Sequence, residues 1–127
     1  WKKSYESGEY TIDLEHKELF QLASELINAA IKREEHPAAF EDAFQALLAH
    51  TAKHFAVEEQ ILAELKYDEL DAHVRLHQEL VHRAQVLHLA AIHRQMSMGE
   101  LIDFIIDDLV KGHMFKQDRK FYCLFKK

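Results

Sequence analysis

Two spacings in the middle of the chain combine metal-binding side chains with helical geometry. His54 and Glu58 form a His-x-x-x-Glu pair, and nineteen residues after His54 comes a His-x-x-x-His pair, His73 and His77. Residues four apart on an α-helix share one face, so each pair aims two donor groups in the same direction. The tetrapeptide Lys66-Tyr67-Asp68-Glu69 between the pairs suits a turn joining two antiparallel helices.

Those pairs need elements to carry them, and the apolar pattern predicts four helices. After an irregular arm over residues 1–11, containing Gly8, the residues Ile12, His16, Leu19, Ala23, Leu26 and Ala30 recur at alternating steps of four and three. That rhythm is the core stripe of a bundled helix. His36-Pro37 closes the first helix and opens the second, proline being suited to a first helical turn. The second stripe is Phe40, Phe44, Leu47, Thr51, His54, Glu58, Ile61 and Leu65. The third is Leu70, His73, His77, Leu80, Ala84, Leu87 and Ala91, and the fourth Ile102, Ile106, Leu109 and His113. Ser97 and Glu100 have the spacing of a capping box ahead of the fourth helix. The predicted helices cover about residues 12–35, 37–65, 69–94 and 98–117, with a tail over 118–127, all in one domain of 127 residues. Four amphipathic segments with short connections predict an all-α, up-down-up-down antiparallel four-helix bundle with an N-terminal arm.

The stripes are not purely apolar. His16, His54, His73, His77 and His113 all point inward, with Glu58 among them. A lone inward histidine is usually a satisfied core residue, but six such groups without a common partner are costly. Each unpaired buried polar group costs about 1–3 kcal/mol, against a total stability of roughly 5–15 kcal/mol. A metal centre joining all four helices removes that cost, because the nitrogens and oxygens become ligands. Asp118 follows His113 by five residues, a spacing that leaves the helical stripe, so it joins the site only where the helix ends or is distorted. Five histidines and two carboxylates exceed one tetrahedral zinc. They suit two octahedral ions bridged by the carboxylates and a solvent oxygen, one ion keeping an open position for a small molecule such as dioxygen.

Composition narrows the classes further. A formal charge of −6 disfavours a nucleic-acid or anionic-membrane partner. Asp103, Asp107 and Asp108 interrupt the most apolar stretch, so no membrane contact is expected. No leader-like segment is evident, and a cytoplasmic setting is expected. The single Cys123 cannot form an internal disulfide.

In these residues the chain resembles a bacterial hemerythrin domain. The likeness lies in the opening Trp1, Tyr5 and Gly8, in Ile12-Asp13-x-x-His16-Lys17 with Leu19-Phe20, in His54-Phe55-x-x-Glu58-Glu59, in His73 and His77, and in His113-x-x-x-x-Asp118. The resemblance implies two iron ions in an oxo- or hydroxo-bridged centre: His73, His77 and His113 on one iron, His16 and His54 on the other, Glu58 and Asp118 bridging. It implies reversible dioxygen binding at the five-coordinate iron, in a pocket of Leu19, Phe55, Leu109, Val110 and Met114. The chain departs from the family pattern at Leu109, where Trp is common, and after Tyr67, where Pro is common. The missing Trp is expected to let water and dioxygen reach the irons easily. His50, one turn before His54 where relatives often carry Tyr, is expected to hydrogen-bond beside the ligands rather than act as one. Glu59 is read as a surface acid or a hydrogen-bond partner of a ligand, and His36, His82, His88 and His93 as solvated-face or loop residues.

Four functions can be set on such a site. An oxygen-binding protein for storage, delivery or scavenging follows from the resemblance directly, with a separate reductant as a further partner. An oxygen- or redox-sensing module, fused to a signalling domain, would use the fourth helix and tail as its output. An oxidase or peroxidase is disfavoured because no further acid-base group is placed for substrate chemistry. A single Glu-x-x-His, Glu79 and His82, argues against the ferritin-like oxidases, which need two. A metal-free structural bundle is disfavoured by the cost of its polar core.

Overall fold

The computed structural model describes residues 3–125, apart from the side chains of Ser4, Met114, Phe115 and Lys116. Helix α1 runs Tyr10–Ile31, α2 Pro37–Glu64 and α3 Leu70–Ile92. The fourth rod begins as α4, Met98–Ile102, passes into a π-helical coil over Asp103–Gln117, and ends in 3-10 turns over Asp118–Leu124. Among the described residues there is no strand, and the helices form an antiparallel four-helix bundle. No described helix is long and apolar enough to cross a membrane.

Local chemistry sets the ends. Glu9 caps α1, its Oε2 accepting the Ile12 N–H at 2.7 Å. The arm is tied to the same turn by Asp13, whose Oδ1 accepts from the Ser7 N–H at 2.7 Å and its hydroxyl at 2.8 Å. Pro37 starts α2, where its missing N–H loses nothing. Ser97 and Glu100 form a reciprocal capping box at α4. The chain leaves α2 through Lys66 and α3 through Arg94, both left-handed, at φ 55° and 57°.

The core lies in two parts. A large apolar cluster joins Leu19, Leu26, Phe40, Phe44, Leu80, Leu101, Ile105 and Leu109, among others. A smaller one joins Ile12, Leu62, Phe121 and Tyr122. Along each of three rods the inward polar residues fall between the two, as His16 does between Ile12 and Leu19. Apolar layers therefore close off a polar layer above and below.

Two stripes differ from expectation. On α2 the buried residue near the end is Leu62, whereas Leu65 is 44% exposed. On the fourth rod the inward line is Leu101, Ile105, Leu109 and His113, and Ile102 is exposed. An α-helix alternates steps of three and four to average 3.6 residues per turn. Unbroken steps of four signal a wider coil, which is what this rod adopts. The segment expected as a tail is packed in: Asp118, Phe121 and Tyr122 are all buried.

Candidate metal centre

Seven side chains from all four rods converge in the polar layer. His16 comes from α1, His54 and Glu58 from α2, His73 and His77 from α3, and His113 and Asp118 from the fourth rod. All are buried, four of them completely.

The two carboxylates divide their oxygens between the histidines. Glu58 Oε1 lies 2.7 Å from His73 Nε2 and 3.1 Å from His77 Nε2, while its Oε2 lies 3.1 Å from His54 Nε2 and 3.6 Å from His16 Nε2. Asp118 Oδ1 stands 3.0 Å from both His73 and His113 Nε2, and Oδ2 stands 3.2 Å from His16 Nε2. Donor atoms thus gather in two sets, Glu58, His73, His77, His113 and Asp118 in one, and His16, His54, Glu58 and Asp118 in the other, each within 4.8 Å. Donors bonded at right angles to one ion at roughly 2.1 Å stand about 3 Å apart, close to the spacings here.

Hydrogen bonding within the protein leaves this layer incomplete. Among the described residues, both nitrogens of His16, His54 Nε2, Glu58 Oε2, His113 Nδ1 and both oxygens of Asp118 have no hydrogen-bond partner. The Nε2 and carboxylate atoms among them have close neighbours without the required alignment. Burial pulls the pKa of His16 down, but Asp118 and Glu58 outweigh it and raise it to about 9. The same opposition carries His113 to about 9, again through Asp118 and Glu58. His54 reaches about 8, through Glu15 and Glu58. Burial would raise the pKa of Glu58, yet the surrounding imidazoles hold it well below the usual carboxylate range. Burial and the Glu58 charge would also raise Asp118, and His113 and His16 reverse that. With protons alone, the layer is held together as imidazolium and carboxylate. A cation replaces those protons and also engages the inward-facing atoms left unpaired, His16 Nε2, His54 Nε2, Glu58 Oε2 and the Asp118 oxygens, so the residues present fit one.

Outer contacts orient the rings. His54 Nδ1–H donates to Glu15 Oε1 at 2.9 Å, and His77 Nδ1–H to Glu59 Oε2 at 2.7 Å, each leaving Nε2 to face inward. His50 is buried, with Nε2 2.9 Å from the Glu15 carbonyl oxygen, beside the seven-residue cluster and outside it. The spacing does not single out Glu15. Its signals are its place next to His16 and its burial at the edge of the α1 stripe. Phe55 stacks flat on His77, ring centroids 3.8 Å apart, and Phe121 meets His73 edge-on at 5.3 Å. Leu19, Phe55, Leu109 and Val110 belong to the large apolar cluster, and the side chain of Met114 lies outside the described residues. His36, His82 and His93 are exposed. His88 is half-buried, contrary to its reading as a solvated residue: it lies 2.8 Å from Glu41 Oε1 and against the Phe44 ring.

Residues 7–125 match the family model of the hemerythrin HHE cation binding domain. The chain belongs to the hemerythrin family. It is 26% identical to a bacteriohemerythrin of Clostridium acetobutylicum over 126 residues, 95% of this chain and 96% of that one. A bacteriohemerythrin of Campylobacter jejuni is 24% identical over 86% of this chain and 81% of its own. One of Pseudomonas aeruginosa is 29% identical over 65% of this chain and 53% of its own. No solved structure matches. As a hemerythrin-family domain the protein is a cation-binding helical bundle, with its candidate site in the His, Glu and Asp layer.

Proposed function

We propose that the chain is a non-haem di-iron protein that takes up dioxygen reversibly. One observation carries the reading: each of two buried carboxylates presents one oxygen to each histidine set, as bridging between two cations requires. Imidazole and carboxylate together suit first-row ions such as iron. A ferrous pair, when bound, supplies two electrons and an open coordination position to a small oxidising ligand.

The residues divide the remaining work. His73, His77 and His113 would hold one ion and His16 and His54 the other, which is one histidine short and therefore the one open to a ligand. Glu58 and Asp118 would join them. Leu19, Phe55, Leu109 and Val110 would give the ligand an apolar pocket on the side of the large core. Glu15 and Glu59 fix the tautomers of His54 and His77.

A second reading, oxygen or redox sensing within a larger signalling protein, is favoured by Asp118, which opens the segment holding buried Phe121 and Tyr122. Strain at the ligand could reach that packing. Anaerobic loading with ferrous iron, then cycles of air and argon, separates the readings. Carriage gives a visible absorption that comes and goes with air. A one-way change on first exposure favours sensing, and a chain that takes up no iron sinks both.

A further inference from the structure

The fourth rod must supply two groups to one site from positions five apart. In an α-helix, five residues rotate the chain by about 140° beyond a full turn, which would aim Asp118 away from the direction of His113. The π-helical coil over Asp103–Gln117 removes the conflict, since its hydrogen bonds run from residue i to i+5. The Asp118 N–H bonds the His113 carbonyl oxygen, and the two side chains meet at 3.0 Å.

Such a coil is uncommon beyond a single turn, so something in the sequence has to admit it. Gly112, immediately before His113, stands out. A Cβ built there would lie 2.7 Å from the carbonyl oxygen of Asp107 and 3.7 Å from its carbon, again five residues back. That oxygen is backbone and cannot swing aside. Gly99, at the other end of the same rod, would meet only the Ser97 hydroxyl, at 3.8 Å.

We propose that Gly112 is a positioning residue: its missing side chain lets the fourth rod keep the i→i+5 register that brings His113 and Asp118 to the same site. The inference rests on the metal-binding reading above. Alanine at this position meets Asp107 in the wide register and favours the α-helical one, being the best helix former where glycine is among the worst. Gly112→Ala therefore trades ligand convergence for ordinary helix. Metal binding and fold stability move in different directions, which a merely structural role would not produce.

The test is a cobalt(II) titration of metal-free protein followed by visible absorption, with thermal unfolding of each metal-free chain. The parent takes up two equivalents. Gly112→Ala keeps its helix content, melts no lower than the parent, and binds cobalt at least 10-fold more weakly, whereas Gly99→Ala matches the parent. Adding Gln117→Asp to Gly112→Ala, which puts a carboxylate four residues after His113, recovers part of the lost affinity. Parent-like binding by Gly112→Ala overturns the proposal, as does failure of its metal-free form to fold. If the parent itself binds no cobalt, the metal-site reading falls instead.

Discussion

The Nε2 atoms of His77 and His113 stand 2.9 Å apart, one on α3 and the other on the π-helical coil. Each also faces a carboxylate oxygen, Glu58 Oε1 at 3.1 Å and Asp118 Oδ1 at 3.0 Å. A single proton can join two of these atoms but not all four. A cation among them satisfies the whole group, and the consequences are measurable.

Stability of the metal-free protein should fall as the solution turns alkaline. Folded pKa values of about 9 for His16 and His113, and about 8 for His54, lie above the ordinary 6.5. Their contribution is complete below the unfolded value and is lost as pH rises through 8 to 9. Glu58 and Asp118 are shifted downward, so their contribution is present above the ordinary carboxylate value and lost in acid. Melting of the metal-free chain should peak between about pH 5 and 6.5. Metal affinity should rise with pH over the same alkaline range, because ligation needs neutral imidazole. Metal-free protein whose melting temperature climbs from pH 6 to pH 9 contradicts this.

Glu15→Ala removes the acceptor that orients His54 and leaves the main-chain contact of His50 in place. Partners of this kind are worth about 10- to 100-fold in metal affinity. Competition against a chromophoric chelator reads the loss directly, and unchanged affinity would show that the His54 ring is fixed by packing alone.

Leu109 is buried in the apolar cluster beside Val110, at the position where the family resemblance leads to an expectation of Trp. Filling that position with Leu109→Trp should slow the oxidation of the ferrous-loaded protein in air, provided the smaller side chain is what admits water and dioxygen. Equal oxidation rates before and after the substitution remove the idea.

Lys66 and Arg94 hold left-handed conformations at the ends of α2 and α3, where glycine is the usual residue. An L side chain there costs roughly 1–2 kcal/mol. Lys66→Gly and Arg94→Gly should each stabilise the fold, by about 1 kcal/mol after the entropy of the unfolded glycine is counted. Chemical denaturation measures this, and a loss in both variants would mean that their side chains hold the turns.

Much of this was legible in residue spacing. The first-helix stripe from Ile12 to Ala30 is buried as its steps of four and three imply, because a regular α-helix maps sequence period onto one face. The fourth rod was not legible in the same way. Its inward line moves from Ile102 and Ile106 to Leu101 and Ile105, since a 3.6-residue period does not describe a π-helical coil. The five-residue gap before Asp118 signalled a distortion without saying that it would extend over Asp103–Gln117. Glu15 was hidden because sequence spacing cannot show which neighbouring ring a carboxylate will reach.

Di-iron binding at this layer means a pair of cations held jointly by seven side chains. Anaerobic reconstitution with ferrous iron, removal of unbound metal and X-ray absorption at the iron edge test it together with metal analysis. Two irons per chain, with an iron–iron vector no longer than about 4 Å, are expected. One iron per chain, or two without such a vector, would contradict the bridged arrangement.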